Sequence, residues 1–229
     1  MKSHFDFKPD LLIETTSVCD RMCAGCYAPN VVSAEDGMRL YASNPNLFLR
    51  PTVMAKAIQN RLGSNKVACS ALRGGEPSRH PELDQLLEIA ACFSGVVYLE
   101  THGRWILQSS EQSLGILQSC SRHSVVVKIS FDRMHGLPAE QLRAMTDRLA
   151  SMDIRYVIAI TEMKEELFLK TRSLCDWIPD GQIVFQKKSL DGSDLIVPDF
   201  GVMRVDGTFG KTVNSKLKEK ATDSRGVVA

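Results

Sequence analysis

A chain of 229 residues, 44% hydrophobic and 24% charged, has the composition of a globular protein and the length to bury a sizeable core. A formal net charge of +1 gives no bulk electrostatic reason to expect nucleic acid or an anionic membrane as partner, and no apolar run reaches the ~18 residues that span a bilayer. The polar start "MKSHFDFKPD" lacks the apolar stretch of a secretory signal, so the expected location is the cytoplasm.

Apolar runs rich in β-branched residues recur down the chain: "LLIETT" (11–16), "KVACSAL" (66–72), "GVVYLE" (95–100), "SVVVKISF" (124–131), "IRYVIAIT" (154–161) and "QIVFQ" (182–186). They are continuous rather than alternating, as strands buried on both faces of a parallel sheet are. Helical patterns lie between them. Thr52 is the expected cap of a helix carrying Met54, Ala57, Ile58 and Leu62. Pro81 is expected in the first turn of the next, with Leu83, Leu86, Leu87 and Ala90 on one face. Leu142, Met145, Leu149 and Met152 form a third stripe, and two weaker patterns cover 110–119 and 163–176. The stretch between Pro29 and Pro51 has no periodicity and is long for a loop. Residues 195–211 read as two short strands turning at Asp206-Gly207, and the end of the chain is a polar tail.

Strand and helix alternating six times predict βαβ units and a parallel α/β sheet. Six repeats fall short of a closed eight-stranded barrel. A partial (β/α)6 barrel and an open doubly wound sheet both fit the pattern. In either, ligands gather in the loops after the strands. Those loops carry Cys19, Cys23 and Cys26; then "RGGEP" (73–77); "ETHGR" (100–104); and "SFDRMHG" (130–136). "TEMK" (161–164) and "QKKSLDG" (186–192) read as ordinary polar loops.

Seven cysteines, three clustered and four scattered, are not a disulfide framework. Cys69, Cys92, Cys120 and Cys175 sit in apolar surroundings and are expected in the core. The other three form Cys-x3-Cys-x2-Cys. Thiolates are soft ligands for zinc or iron–sulfur clusters. Three of them on a [4Fe–4S] cluster leave one iron open to another ligand.

Cys-x3-Cys-x2-Cys after a first strand, with Gly-Gly-Glu-Pro about fifty residues later after a second, resembles the radical S-adenosylmethionine (SAM) superfamily from Leu11 to about Gln186. The resemblance implies a partial (β/α)6 TIM-like barrel over residues 1–190, with 191–229 as a hairpin and tail of the same domain. It implies a [4Fe–4S] cluster on Cys19, Cys23 and Cys26, with SAM chelated to the open iron. Reductive cleavage of SAM would then give a 5′-deoxyadenosyl radical that takes hydrogen from a small-molecule or peptide substrate. Gly74, Gly75 and Glu76 match the motif that meets the SAM amino group, and Ser130 and Asp132 the position of polar groups on its ribose or carboxylate. Thr101, His102 and Gly103 match a third-strand turn that commonly reads Thr-Asn-Gly. Arg104, Arg133 and His135 are candidates to meet substrate.

Gly25 stands where many members carry an aromatic residue, and Tyr27 follows the third cysteine instead. With only Cys175 beyond Cys120, a minimal single-cluster, oxygen-sensitive enzyme is expected, reduced by flavodoxin or ferredoxin. The alternatives are a glycyl-radical-enzyme activase, a 7-deazapurine-synthase-like enzyme, and a non-catalytic zinc or iron–sulfur module. The last lacks a fourth ligand and leaves "GGEP" unexplained.

Overall fold

The computed structural model of the chain describes residues 8–21, 23, 26, 32–33, 37–162, 164–187 and 198–210. Its strands are β1 (Leu11–Thr16), β2 (Val18–Cys19), β3 (Val32–Ser33), β4 (Val67–Gly74), β5 (Ser94–Thr101), β6 (Val126–Ser130), β7 (Tyr156–Glu162), β8 (Ile183–Lys187), β9 (Val202–Met203) and β10 (Phe209–Gly210). Its helices are α1 (Gly37–Ser43), α2 (Pro51–Leu62), α3 (Leu83–Phe93), α4 (Glu111–Arg122), α5 (Ala139–Ser151) and α6 (Glu165–Arg172).

All six expected strands form, in the order β1-β4-β5-β6-β7-β8, and every neighbouring pair is parallel. The C-terminal hairpin extends this sheet. β9 pairs parallel with β1, β10 pairs antiparallel with β9, and the eight-stranded sheet stays open between β10 and β8. The turn at Asp206-Gly207 is where the sequence puts it, with Asp206 Oδ1 accepting from the Thr208 N–H at 2.9 Å.

Alternate residues of each strand divide between two apolar layers. Leu11, Ile13, Leu72, Leu99, Val127, Ile129, Ile158 and Ile160 pack with the buried stripes of the helices. Leu12, Ala71, Val126, Val157, Val184 and Val202 pack on one another with Val96 and Tyr98, and all of these come from strands. Helices therefore cover one face only among the described residues. A doubly wound sheet needs helices on both faces, so the sheet has the architecture of an incomplete barrel whose second face is its interior.

Helix stripes follow the sequence more closely than helix starts. Met54, Ile58 and Leu62 of α2 are buried as expected, but Thr52 is not its cap: Pro51 occupies the first turn and Arg50 precedes it without a side-chain cap. Likewise α3 begins at Leu83 after Glu82, which leaves Pro81 just outside. The stretch without periodicity contains α1 and the pairing of β3 with β2. Of the four scattered cysteines, Cys120 and Cys175 are buried, Cys69 is half-buried, and Cys92 is exposed on α3. No helix among the described residues is long and apolar enough to cross a membrane.

Candidate functional site

The cysteine loop and the Gly-Gly-Glu-Pro turn leave adjacent strands at the same end of the sheet. β1 and β4 run parallel until Thr16 stands opposite Gly74. There the chains exchange further backbone bonds: Gly75 N–H donates to Thr16 O at 2.7 Å, and Glu76 N–H to Val18 O at 2.8 Å. A Cβ on Gly74 would run into the Thr16 carbonyl, and one on Gly75 into the Val18 carbonyl. Gly74 also has φ of +146°, a conformation that L side chains rarely adopt. The two glycines thus let the turn close on the segment that leads into Cys19.

Cys19 is buried, Cys23 half-buried and Cys26 exposed. The Cys26 N–H donates to Cys23 O at 3.1 Å, and the Arg21 N–H points at Cys19 Sγ from 3.4 Å. Burial, with Glu76 and Asp20 adding to it against that N–H, pushes the Cys19 thiol up to about 12. Such a thiol ionises when a metal takes the place of its proton. Three thiols within eight residues at a strand end, one already receiving an N–H, fit a thiolate-held cluster.

Glu76 is the hub of the site. It is 1% exposed. Oε1 accepts from the Ser78 N–H at 3.1 Å and the Thr101 hydroxyl at 2.7 Å, while Oε2 accepts from the His102 N–H at 3.0 Å. Thr101 Oγ1 in turn accepts from the Gly103 N–H and from the Trp105 indole, both at 2.9 Å. The Gly-Gly-Glu-Pro turn after β4 and the Thr-His-Gly turn after β5 are therefore one hydrogen-bonded unit.

His102 carries that unit back to the cysteine loop. Its Nε2 lies 2.9 Å from Asp20 Oδ1 and 3.3 Å from Glu76 Oε2, and its Nδ1 accepts from the Arg104 N–H at 3.2 Å. The other carboxylate oxygen of Asp20 is paired with Arg79. Burial opposes charge on both partners, yet His102 and Arg79 hold the Asp20 carboxyl far below its ordinary value, and Glu76 and Asp20 raise that of His102. Ligand atoms of Cys19, Asp20 and His102 lie within 4.8 Å of one another. With Asp20 bonded to both His102 and Arg79, this trio is a bridge rather than a metal cage.

The loop after β6 also ends at this edge. Ser130 is half-buried and closes the strand. Asp132 is buried, and its Oδ1 accepts from the N–H groups of Met134 and His135 at 2.9 and 3.1 Å and sits 2.8 Å from His135 Nδ1. Its Oδ2 is buried with no hydrogen-bond partner among the described residues. Arg104 reaches across to Gly136 O at 3.1 Å, and Arg133 is exposed. Glu162, the buried last residue of β7, accepts from Thr171 of α6 at 3.3 Å. Residues 188–192 lie outside the described residues.

One layer beneath the loops, the sequence hides a row of charges. Glu14 pairs in register with Arg73, and Glu100 with Lys128. Arg73 Nε lies 3.9 Å from one Glu100 oxygen and Lys128 Nζ 3.2 Å from the other. All four side chains project into the barrel interior, two residues along from Leu12, Ala71, Tyr98 and Val126 of its apolar layer. Burial opposes the Glu100 charge, but Lys128 and Arg73 outweigh it and hold the carboxyl below its ordinary value. Asp20, Arg79 and this row do not stand out in the sequence. An ionisable residue inside an apolar strand run, as in "VVVKIS", is the available signal.

No family model and no curated protein matches the sequence. Solved structures do. Streptococcus suis SuiB bound to precursor peptide SuiA is 14% identical with a TM-score of 0.58, over 93% of this chain and 45% of that one. SuiB bound to S-adenosylmethionine gives 0.52 at 14% identity, over 93% and 44%. Histidine-tagged anSMEcpe with bound AdoMet is 18% identical with a TM-score of 0.51, over 76% and 50%. The chain thus spans about half the length of the structures it matches. The mostly parallel, open α/β sheet of this chain is a fold it shares with these proteins.

Proposed function

We propose that the chain is a radical SAM enzyme that holds a [4Fe–4S] cluster on Cys19, Cys23 and Cys26 and acts on a peptide. The observation that carries this reading is the meeting of two distant motifs, fixed by the Gly75–Thr16 and Glu76–Val18 backbone bonds. When bound on Cys19, Cys23 and Cys26, the cluster would supply the electron for reductive cleavage of SAM and so the means to take hydrogen from a substrate.

The chain's own residues prepare for this. Cys19 gives up a proton on loading and keeps the Arg21 N–H as donor to its sulfur. The turn at Gly74 and Gly75 presents backbone to the SAM amino group. Glu76, whose oxygens are taken by Ser78, Thr101 and His102, serves SAM by holding that turn in shape. Thr101 acts with it. Ser130 and Asp132, at the end of β6, are the polar groups for the SAM ribose or carboxylate, and the unpartnered Asp132 Oδ2 supports that assignment.

A peptide is favoured over a small molecule because SuiB, matched over 93% of this chain, was solved with its precursor peptide. The enzyme is oxygen-sensitive and cytoplasmic, with flavodoxin or ferredoxin as electron donor. The test is to incubate anaerobically reconstituted protein, SAM and the reductant dithionite with deuterated candidate peptides encoded beside its gene. Deuterium in 5′-deoxyadenosine identifies the substrate. Transfer from a small metabolite, and from none of the peptides, would overturn the peptide assignment.

A further inference from the structure

We propose that His102 is a positioning residue for the cluster: through Asp20 it clamps the Cys19 end of the loop to the turns after β4 and β5. This rests on the cluster assignment above, and concerns residues outside the cysteine motif.

Three observations converge on it. The Arg104 N–H donates to His102 Nδ1 at 3.2 Å, which places the proton of the neutral ring on Nε2. That proton faces Asp20 Oδ1 at 2.9 Å, its nearer acceptor, with Glu76 Oε2 farther off at 3.3 Å. Asp20 directly follows Cys19 and has its other oxygen on Arg79, in the short helix Pro77–Arg79 that continues the Gly-Gly-Glu-Pro turn. One carboxylate beside a cluster ligand is thus gripped from two turns at once. The grip is shielded: His102 is 6% exposed and the Asp20 side chain 14%. Its far end is also anchored, since the His102 N–H donates to Glu76.

Outer groups that orient metal ligands commonly change metal retention about 10- to 100-fold when removed. Loss of His102 frees Asp20 to turn toward Arg79 alone and loosens the loop at Cys19. It leaves Cys19, Cys23 and Cys26 themselves intact.

The experiment compares wild type, His102→Ala, His102→Gln, Asp20→Ala and Thr101→Val, all anaerobically reconstituted as full chains. Iron release to a ferrous chelator and the thermal midpoint of the metal-free protein are measured. His102→Ala and Asp20→Ala should load iron and release it at least about tenfold faster than wild type. His102→Gln, whose amide can donate to Asp20, should recover part of the difference. Thr101→Val breaks the Glu76 network without touching Asp20, so it should lower the thermal midpoint without matching the faster release. Wild-type release from His102→Ala, or equal acceleration by Thr101→Val, would overturn the role of His102. A wild-type chain that takes up no iron would overturn the cluster assignment itself.

Discussion

Lys128 and Glu100 face each other across a register pair of β6 and β5, Nζ to Oε1 at 3.2 Å, in the interior of the incomplete barrel. Lys128 is 2% exposed, so its charge depends on the carboxylate beside it. Removing one member of a buried pair costs about 3–5 kcal/mol, and here the low end applies because Arg73 still faces the other Glu100 oxygen at 3.9 Å. Lys128→Met should therefore destabilise the fold by about 3 kcal/mol. The double variant Lys128→Met/Glu100→Leu should recover part of that loss, since it also takes Glu100 from Arg73 and leaves Arg73 beside its register partner Glu14. Urea titrations of the single and double variants check this; purely additive losses would contradict it.

His80 gives the fold an acid-sensitive point. It is fully buried, with Nε2 on Leu49 O at 2.8 Å and Nδ1 accepting from the Glu82 N–H at 3.0 Å. Burial lowers its pKa from 6.5 to about 4. The unfolded chain binds this proton first. The stabilisation is therefore complete above about pH 6.5 and is lost as the pH falls toward 4, up to about 3 kcal/mol. Denaturation midpoints followed across that window should fall with pH, and His80→Gln should flatten the slope.

Gly75→Ala tests the closure of the Gly-Gly-Glu-Pro turn. Its Cβ would meet backbone atoms of Val18, which cannot rotate away as a side chain can. Overpacking of this kind costs about 1–3 kcal/mol. A lower thermal midpoint in the metal-free protein is expected, since the clash needs no ligand. An unchanged midpoint would show that β2 can shift at no cost.

Glu76→Gln keeps the shape of the hub and puts an amide where donors converge. An amide NH2 facing the N–H groups of Ser78 or His102 leaves a buried donor unsatisfied, at about 1–3 kcal/mol. The metal-free variant should be less stable by that order in urea, and its SAM affinity should fall because the turn loosens.

The positions of the loops are legible in the sequence because continuous β-branched runs such as "SVVVKISF" mark buried parallel strands, and the polar residues after them fall at one edge. The cysteines and "GGEP" are legible for the same reason. Asp20 and Arg79 are not: each looks like a solvated charge beside a motif, and only the fold brings Asp20 to Arg79 and His102. Lys128 is hidden because one charge in an apolar run does not announce its partners, which come from β4 and β5. Helix starts depart from expectation at Thr52 and Pro81, where several residues can begin a helix equally well. Parallel docking of the hairpin on β1 is invisible because β9 has only two residues and no periodicity.

By the proposed function, the two motifs joined at the ends of β1 and β4 hold a cluster that cleaves SAM. The most direct measurement is 5′-deoxyadenosine formed by the anaerobically reconstituted, reduced chain, beside its iron and sulfide content. About four irons and four sulfides per chain are predicted, with 5′-deoxyadenosine that depends on SAM and on reductant and disappears in the Cys19/Cys23/Cys26→Ala variant. A wild-type chain that binds no cluster, or a triple variant that still cleaves SAM, would contradict it.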